Sequence, residues 1–307
     1  MKTIKQAKRL LRDAKVPFSC NCSLKPYTSL HIGGKAALLI EAYTLKQIKD
    51  SILIAKQCAL PYYILGNGSN VLIDEEGYAG CMILLRNYNR IVQREEERVR
   101  VQSGMTLKAL CDWCLDHELS GLEFACGIPG SVGGGVVMNA GAYGGEMKDV
   151  VTRVWYLDPQ GEIQIKEREA LDFAYRHSCF SHQEGIILEV EFQLHKGKQQ
   201  EIKAKMEELN ERRRYKQPLA HYSAGSVFKR PPNSYASLLI AQAGLQGKHV
   251  GDACVSTKHA GFLINLHEAS AYDFLTLIKL VQTAVYAKSG IWLECEIIQI
   301  TPNTTFG

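Results

Sequence analysis

The amino-acid sequence predicts an α+β protein of two or three packed units, and three observations carry that prediction. Capped helices with one apolar face alternate with short apolar runs of strand length. A chain of 307 residues is long enough to bury a sizeable core without disulfides or a structural metal. The pattern changes at Lys196-Gly197-Lys198, beyond which a charged helix from about Gln200 to Arg214 opens a second part of different character.

Residues 1 to 15 interleave Lys and Arg with Ile4, Ala7, Leu10, Leu11 and Ala14, an amphipathic helix rather than the continuous apolar stretch of a signal peptide. Thr44-Leu45-Lys46-Gln47 has the form of a capping box, and Ile48, Ile52 and Ala55 share one face of a helix ending near Gln57. Tyr62 to Leu65 is a short buried strand. After Gly66 to Asn70 the chain returns at once to the apolar run Val71 to Ile73, so that loop joins strand to strand. Thr106 caps a helix with Leu107, Leu110, Cys111, Cys114 and Leu115 on one face, and a long glycine-rich segment, Gly121 to Gly145, follows. Val151 to Leu157, the turn Asp158-Pro159-Gln160-Gly161 and Glu162 to Lys166 form a hairpin, with Ile186 to Leu194 a further strand. Ser234 to Ala243 and Ala271 to Lys288 are helical, the latter capped by Ser270 with Asp273 three residues on, and Trp292 to Ile300 closes as a strand.

Composition narrows the function classes. The 46% hydrophobic and 22% charged fractions are those of an ordinary globular protein. Apolar runs such as Cys81 to Leu85 fall far short of the roughly 18 residues a membrane span needs. Ten unevenly spaced cysteines fit reduced thiols in the cytoplasm better than a disulfide framework. The net charge of +4 is mild and, apart from Arg212 to Arg214, the basic residues are scattered, which favours a small anionic substrate over nucleic acid.

Gly66-Asn67-Gly68-Ser69-Asn70 brings several backbone N–H groups within reach of a pyrophosphate, since glycine has no Cβ and tolerates positive φ; without a ligand the same loop is a tight hairpin turn. It lacks the third glycine and the following helix of the dinucleotide fingerprint. Gly127-Ile128-Pro129-Gly130-Ser131-Val132-Gly133-Gly134-Gly135 is more specific, because Pro129 fixes one turn while five glycines let a ligand approach the backbone. It runs on through Asn139-Ala140-Gly141-Ala142-Tyr143, adding an amide and a phenol. Two such loops favour a dinucleotide site.

Cys111-Asp112-Trp113-Cys114 has the spacing of a redox or metal pair, yet both sulfurs fall on the apolar helix face, which favours core packing. The nine histidines show no His-Glu-x-x-His arrangement, and no metal site is expected. Ser226 lies between small residues with Lys229 three positions on, suiting either a ligand-facing turn or a helix cap; no Gly-x-Ser-x-Gly elbow surrounds it. A period of two places Glu294 and Glu296 on one strand face and Leu293, Cys295 and Ile297 on the other, the pattern of a solvated strand face.

In order along the chain, Tyr27-Thr28-Ser29 with Gly33-Gly34, the Gly66 loop, the Gly121 to Gly145 segment, Tyr175-Arg176, the Ser226 loop, Gly261-Phe262 and Glu296 resemble the UDP-N-acetylenolpyruvoylglucosamine reductases, from about Leu24 to Ile300. The resemblance implies an FAD-binding fold of the vanillyl-alcohol-oxidase type, with two α+β subdomains at 1–90 and 91–197, then a C-terminal α+β substrate-binding domain at 198–307. It implies non-covalent FAD on Thr28, Ser29, Gly66, Asn67, Gly68, Ser69, Asn70, Gly127, Ile128, Pro129, Gly130, Ser131, Gly133, Gly134, Asn139, Ala140 and Gly141.

The implied reaction is NADPH-dependent reduction of the enolpyruvyl group of a UDP-sugar to UDP-N-acetylmuramate, for peptidoglycan and hence cell shape and division. Hydride arriving at C3 leaves negative charge over C2 and the carboxylate, which must be stabilised and protonated. By the family's motif, Arg176 and Glu296, the latter as the protonated acid, polarise the carboxylate, and Ser226 delivers the proton to C2 with help from Lys229 or Arg176. Tyr143, Tyr175, Arg213 or Arg214, Gln217 and Lys229 are the implied contacts of the UDP-sugar or NADPH, with surface charge the competing account of the basic run. Two positions depart from the family pattern: His221-Tyr222 where a proline commonly precedes Ser-Ala-Gly-Ser, and His31 where a larger apolar or basic residue is frequent. The chain lacks the substrate-covering insertion of one class and resembles the shorter class. A flavin oxidase of the same fold would keep the glycine loops without Arg176, Ser226 and Glu296, and a non-catalytic flavin-binding module is the other rival. A cytoplasmic monomer without nucleic-acid or membrane partners is expected.

Overall fold

The computed structural model describes residues 2–181 and 185–306. Helix α1 (Lys2–Asp13) turns Ala7 and Leu11 inward and packs on α2 (Leu45–Gln57). The Thr44 hydroxyl accepts from the Gln47 N–H, and the Gln47 side chain reaches back to the N–H of Tyr43. Strands β1 (Phe18–Ser23), β2 (Lys35–Glu41), β3 (Tyr62–Leu65) and β5 (Tyr78–Leu84) form a sheet of order β1-β2-β5-β3, parallel except for β1. β4 (Val71–Ile73) leaves this sheet and pairs in parallel with β15 (Ile298–Ile300), over two hundred residues away. The Gly66 loop therefore joins strands that do not pair with each other, and it is not a hairpin turn.

A second sheet, all antiparallel, has the order β9-β8-β10-β7-β6, from β6 (Ile91–Glu95), β7 (Arg98–Gln102), β8 (Val151–Leu157), β9 (Ile163–Glu167) and β10 (Ile186–Gln193). Its apolar face, with Val99, Val101, Val190 and Phe192, shares a core with α3 (Leu107–Asp116) and α5 (Gln199–Lys216). Cys111 and Cys114 lie in that core; burial pushes the Cys114 thiol up to about 12 and Cys111 well above the ordinary range, so both remain thiols.

Within the glycine-rich segment, which reads from sequence as a loop, the chain forms a short helix α4 (Val132–Val137), whose N-cap Ser131 accepts from the Gly134 N–H. Glycine there serves close packing: a Cβ on Gly133 would stand 2.9 Å from Ser103 Cβ. That spatial cause is invisible to helix propensity, which counts glycine as unfavourable.

The third sheet is antiparallel, of order β11-β14-β13-β12, from β11 (Tyr222–Ser226), β12 (His249–Val250), β13 (Ala253–Val255) and β14 (Phe262–Asn265). It packs against α6 (Ala236–Gln242), which begins two residues later than its sequence pattern suggests, and α7 (Ala271–Ser289), which has the reciprocal Ser270–Asp273 capping box. The same core takes in Leu30, Ile32 and Leu72 from the other end of the chain. Asn265, 1% exposed, bridges the two: its Nδ2 donates to the Leu30 carbonyl at 3.0 Å and its Oδ1 accepts from the Ala269 N–H at 2.9 Å.

The closing strand is shorter than its alternation predicts, since only Ile298–Ile300 is regular and Cys295 makes a single bridge to Phe228. Leu293 is buried, Cys295 is exposed and the Glu296 side chain is 13% exposed, so the two glutamates do not share a solvated face. The backbone of 294–296 follows the Ser226 loop instead, through Lys229 N–H to Glu294 O and Glu296 N–H to Val227 O. Replacing Asn265 with Leu leaves the Leu30 carbonyl and Ala269 N–H buried without partners and should cost about 2–4 kcal/mol of unfolding free energy. Urea denaturation reads this, and an unshifted midpoint would show that the bridge contributes nothing.

Candidate active site

Both glycine loops, α4, the end of α5 and the turns around Ser226 and Glu296 enclose one cavity of about 640 Å³, within the range of ligand sites. Gly66, Asn67, Gly68, Ser69 and Asn70 all line it, and among the described residues none of their amides donates a hydrogen bond to another protein group. Gly68 has φ of +61°, and a Cβ there would lie 2.0 Å from the Tyr27 carbonyl oxygen. Thr28 and Ser29 stand behind the loop rather than on the cavity: the Thr28 hydroxyl donates to Ile32 O at 3.0 Å and the Ser29 N–H to Gly68 O at 3.0 Å. Asn67 Nδ2 donates to Pro129 O at 2.6 Å, which ties the two loops together.

From the second loop, Ile128, Pro129, Gly130, Ser131, Gly133, Gly134, Ala140 and Gly141 reach the cavity. Gly127 does not; it makes room for Arg213, whose Cδ and Nη1 would each be 2.9 Å from an added Cβ. Asn139 also lies behind the wall, 1% exposed and with φ of +40°. Its Nδ2 donates to Glu146 Oε2 and to Ala174 O while its Oδ1 accepts from the Lys148 N–H, so it fixes the turn that carries Tyr175 and Arg176.

Arg176, Ser226 and Glu296, from three different parts of the chain, meet on the cavity. Arg176 Nε stands 2.8 Å from Glu296 Oε1, with the two side chains 23% and 13% exposed. Burial pushes the Glu296 carboxyl above its usual range, and the Arg176 charge opposes that shift without cancelling it. Asn70 holds the carboxylate's backbone: its Nδ2 donates to Glu296 O at 3.1 Å and its carbonyl accepts from the Ile298 N–H at 3.0 Å. The chemistry on offer is a buried carboxyl beside a guanidinium and a hydroxyl, facing a surface of open amides.

Of the other implied contacts, Tyr143, Arg213 and Gln217 line the cavity, and Arg213 Nε donates to Gln217 Oε1 at 2.9 Å. Arg214 does not line it. Tyr175 is exposed, its hydroxyl accepting from the Arg230 N–H at 3.1 Å. Lys229 is not on the wall either; its ammonium sits 3.3 Å from the exposed Glu294, while its neighbour Arg230 borders the cavity with its guanidinium over the Tyr235 ring. Lys216 and His259 also line the cavity, and both escaped the sequence reading. Helical spacing could have found Lys216, since residues i, i+3 and i+4 from Arg213 share one face of α5. His259 carries no such signal. Burial lowers its pKa, and its Nδ1 accepts from the Gly261 N–H, so Nε2 holds the proton of the neutral ring. The two departures noted in the sequence meet: the His31 and Tyr222 rings stack at 3.7 Å.

A dinucleotide fits this surface on its own evidence. Besides the open loop amides, Ser103 Oγ and Arg213 Nη1 are buried on the cavity wall without a hydrogen-bond partner among the described residues. Polar groups in that condition mark a ligand's donors and acceptors.

A family model of FAD binding domains matches residues 36–165, and one of the UDP-N-acetylenolpyruvoylglucosamine reductase C-terminal domain matches residues 217–300. The chain is 47% identical over 274 residues to the UDP-N-acetylenolpyruvoylglucosamine reductase of Geobacillus thermodenitrificans, covering 89% of this chain and 90% of that one. It is 43% identical over 294 residues to the reductase of Caldanaerobacter subterraneus, covering 96% of each. The crystal structure of UDP-N-acetylenolpyruvylglucosamine reductase from Thermus caldophilus aligns with a TM-score of 0.77 at 35% identity, over 92% of this chain and 98% of that chain. A variant of BBE-like 1 from Physcomitrella patens, with a TM-score of 0.50 at 14% identity over 62% of this chain and 44% of that one, shares the fold alone. With both glycine loops, the Arg176–Glu296 pair and Ser226 on one cavity, the chain belongs to the UDP-N-acetylenolpyruvoylglucosamine reductase family, on an FAD-binding fold of the vanillyl-alcohol-oxidase type.

Proposed function

We propose that this chain catalyses the NADPH-dependent reduction of UDP-N-acetylglucosamine enolpyruvate to UDP-N-acetylmuramate in peptidoglycan precursor synthesis. The observation that carries this reading is the largely buried Arg176–Glu296 pair, 2.8 Å apart, on the same cavity as Ser226 and the open backbone amides of the Gly66–Asn70 loop. FAD, bound non-covalently, supplies the hydride when it has been reduced by NADPH.

The chain's own residues do the rest. The open backbone amides of Gly66–Asn70 hold the pyrophosphate, and the glycines of the second loop let it approach the cavity wall. Arg176 takes the substrate carboxylate. As that carboxylate draws the guanidinium to itself, the force holding down the Glu296 pKa weakens, and burial favours the protonated carboxyl, which would donate a hydrogen bond to the developing charge. Ser226 delivers the proton to C2. Of the two cations considered as its helper, Arg176 lines the cavity while Lys229 pairs with Glu294, which favours Arg176. Arg213, Lys216 and Gln217 hold the phosphates of the sugar nucleotide or of NADPH, one after the other.

The division into units at 1–90, 91–197 and 198–307 follows the three sheets, each with a core of its own, although α5 of the third unit packs in the second core and Leu30, Ile32 and Leu72 of the first pack in the third. The protein acts as a cytoplasmic monomer: buried reduced thiols such as Cys58, Cys81, Cys111 and Cys114 suit a reducing compartment, and among the described residues no helix is long and apolar enough to cross a membrane. An oxygen-using oxidase of the same fold has no use for the Arg176–Glu296 pair.

Ser226→Ala should leave reduction of the flavin by NADPH nearly intact and slow reoxidation by the UDP-sugar about 10²- to 10⁴-fold, the usual share of a general acid. Stopped-flow absorbance separates the two half-reactions, and equal slowing of both would refute the role. Glu296 works protonated and its pKa is raised, so the reoxidation rate should hold at low pH and fall as pH rises through that raised pKa. Glu296→Gln cannot ionise and should flatten this alkaline limb, at a rate about 10²-fold lower; a limb that persists unchanged in the variant would assign it to another group.

A further inference from the structure

Tyr63, Ile187 and Phe306 also line the cavity, and the bond-making steps use none of them. Phe306 lies beyond residue 300, where the match to the family's C-terminal domain stops. The stretch 301–306 doubles back over β3 and β5 and is tied down along its length. The Ala79 N–H donates to Pro302 O at 3.0 Å, the hydroxyl of Tyr78, itself 1% exposed, donates to Thr304 O at 2.7 Å, and the Phe306 N–H donates to Tyr62 O at 3.0 Å. Thr301 and Thr304 close a turn between these points, the Thr301 N–H donating to Thr304 Oγ1 at 2.9 Å. β3 is the edge of its sheet, so the last of the three anchors occupies a backbone edge that would otherwise stay open. The Phe306 ring meets Tyr63 edge to face, centroids 6.2 Å apart at 83°, which presents an aromatic wall to the cavity.

The Gly66 loop fixes which part of a dinucleotide reaches this wall. It leaves β3 beside Tyr63 and Leu65 and ends at Asn70, which holds the backbone of Glu296. A pyrophosphate on that loop has the catalytic carboxyl on one side and the aromatic end on the other. The hydride-bearing ring must lie with Arg176, Ser226 and Glu296, which leaves the purine for the apolar end. We infer that Phe306, held by the 301–306 strap, walls the purine ring of FAD and slows the cofactor's release; this rests on the FAD reading above. A purine offers two flat faces that stack on aromatic rings, whereas the phosphates and ribityl chain have no use for such a wall.

The test compares the full-length chain with Phe306→Ala and Phe306→Tyr, measuring the dissociation constant and release rate of FAD by flavin fluorescence, and then those of FMN, which has the flavin ring but no purine. Phe306→Ala should weaken FAD about tenfold or more, mainly through faster release, with Phe306→Tyr close to the unmodified chain and FMN binding the same in all three. Tyr78→Phe, which keeps the ring but cuts the strap's buried anchor, should shift FAD in the same direction by less and leave FMN alone. An unmodified chain that takes up no FAD would overturn the functional reading underneath. If that chain binds FAD and Phe306→Ala releases it at the same rate, or loses FAD and FMN affinity equally, the purine wall alone is refuted.

Discussion

Everything at this site depends on the parallel pairing of β4 with β15. A three-residue strand at each end of the chain is all that joins the phosphate loop to the catalytic carboxyl, with Asn70 supplying both a ladder acceptor to Ile298 and a side-chain bond to Glu296 O. A pairing between residues so distant in sequence carries a large loop-closure cost, so it persists only because larger surfaces on either side hold it in register. Leu30, Ile32 and Leu72 entering the core of the last hundred residues are those surfaces, and Asn265 locks them from within.

Electrostatics follow from that closure. A carboxyl and a guanidinium, each largely withdrawn from water, hold one another in a balance that neither burial nor attraction wins outright. Such a pair is poorly justified as a source of stability and well suited to a site where an incoming anion must find a positive partner already aimed beside a carboxyl whose burial favours taking up a proton. Arg176 has φ of +54°, so the turn that aims the guanidinium stores backbone strain, and the buried Asn139 side chain, through its bond to Ala174 O, ties that turn to the 146–148 segment.

Much of the fold was legible where local signals suffice. Caps at Thr44, Thr106 and Ser270 and the hairpin around Asp158 follow from short-range chemistry, and the structure has each of them. What local pattern misread has a spatial cause. Gly133 in α4 is required because Ser103 leaves no room for a Cβ there, and the alternation at 292–297 is overridden because that stretch follows the Ser226 loop rather than a sheet. At the site the same division holds. Motifs located the loops and the three chemical residues, and helical spacing from Arg213 reaches Lys216, whereas the turning of Lys229 away to Glu294 and the presence of His259 depended on packing that no spacing encodes.

The stacking of His31 on Tyr222 joins the two positions at which this chain departs from its family's pattern. At one position Tyr222 stands near where the family commonly has a proline ahead of the Ser226 loop, and at the other His31 supplies a flat ring for it to lie against, so the two side chains pack as a unit. A chimera that takes its first forty residues from a relative and the rest from this chain would separate them, leaving Tyr222 without its platform and the strand leading to Ser226 without that support.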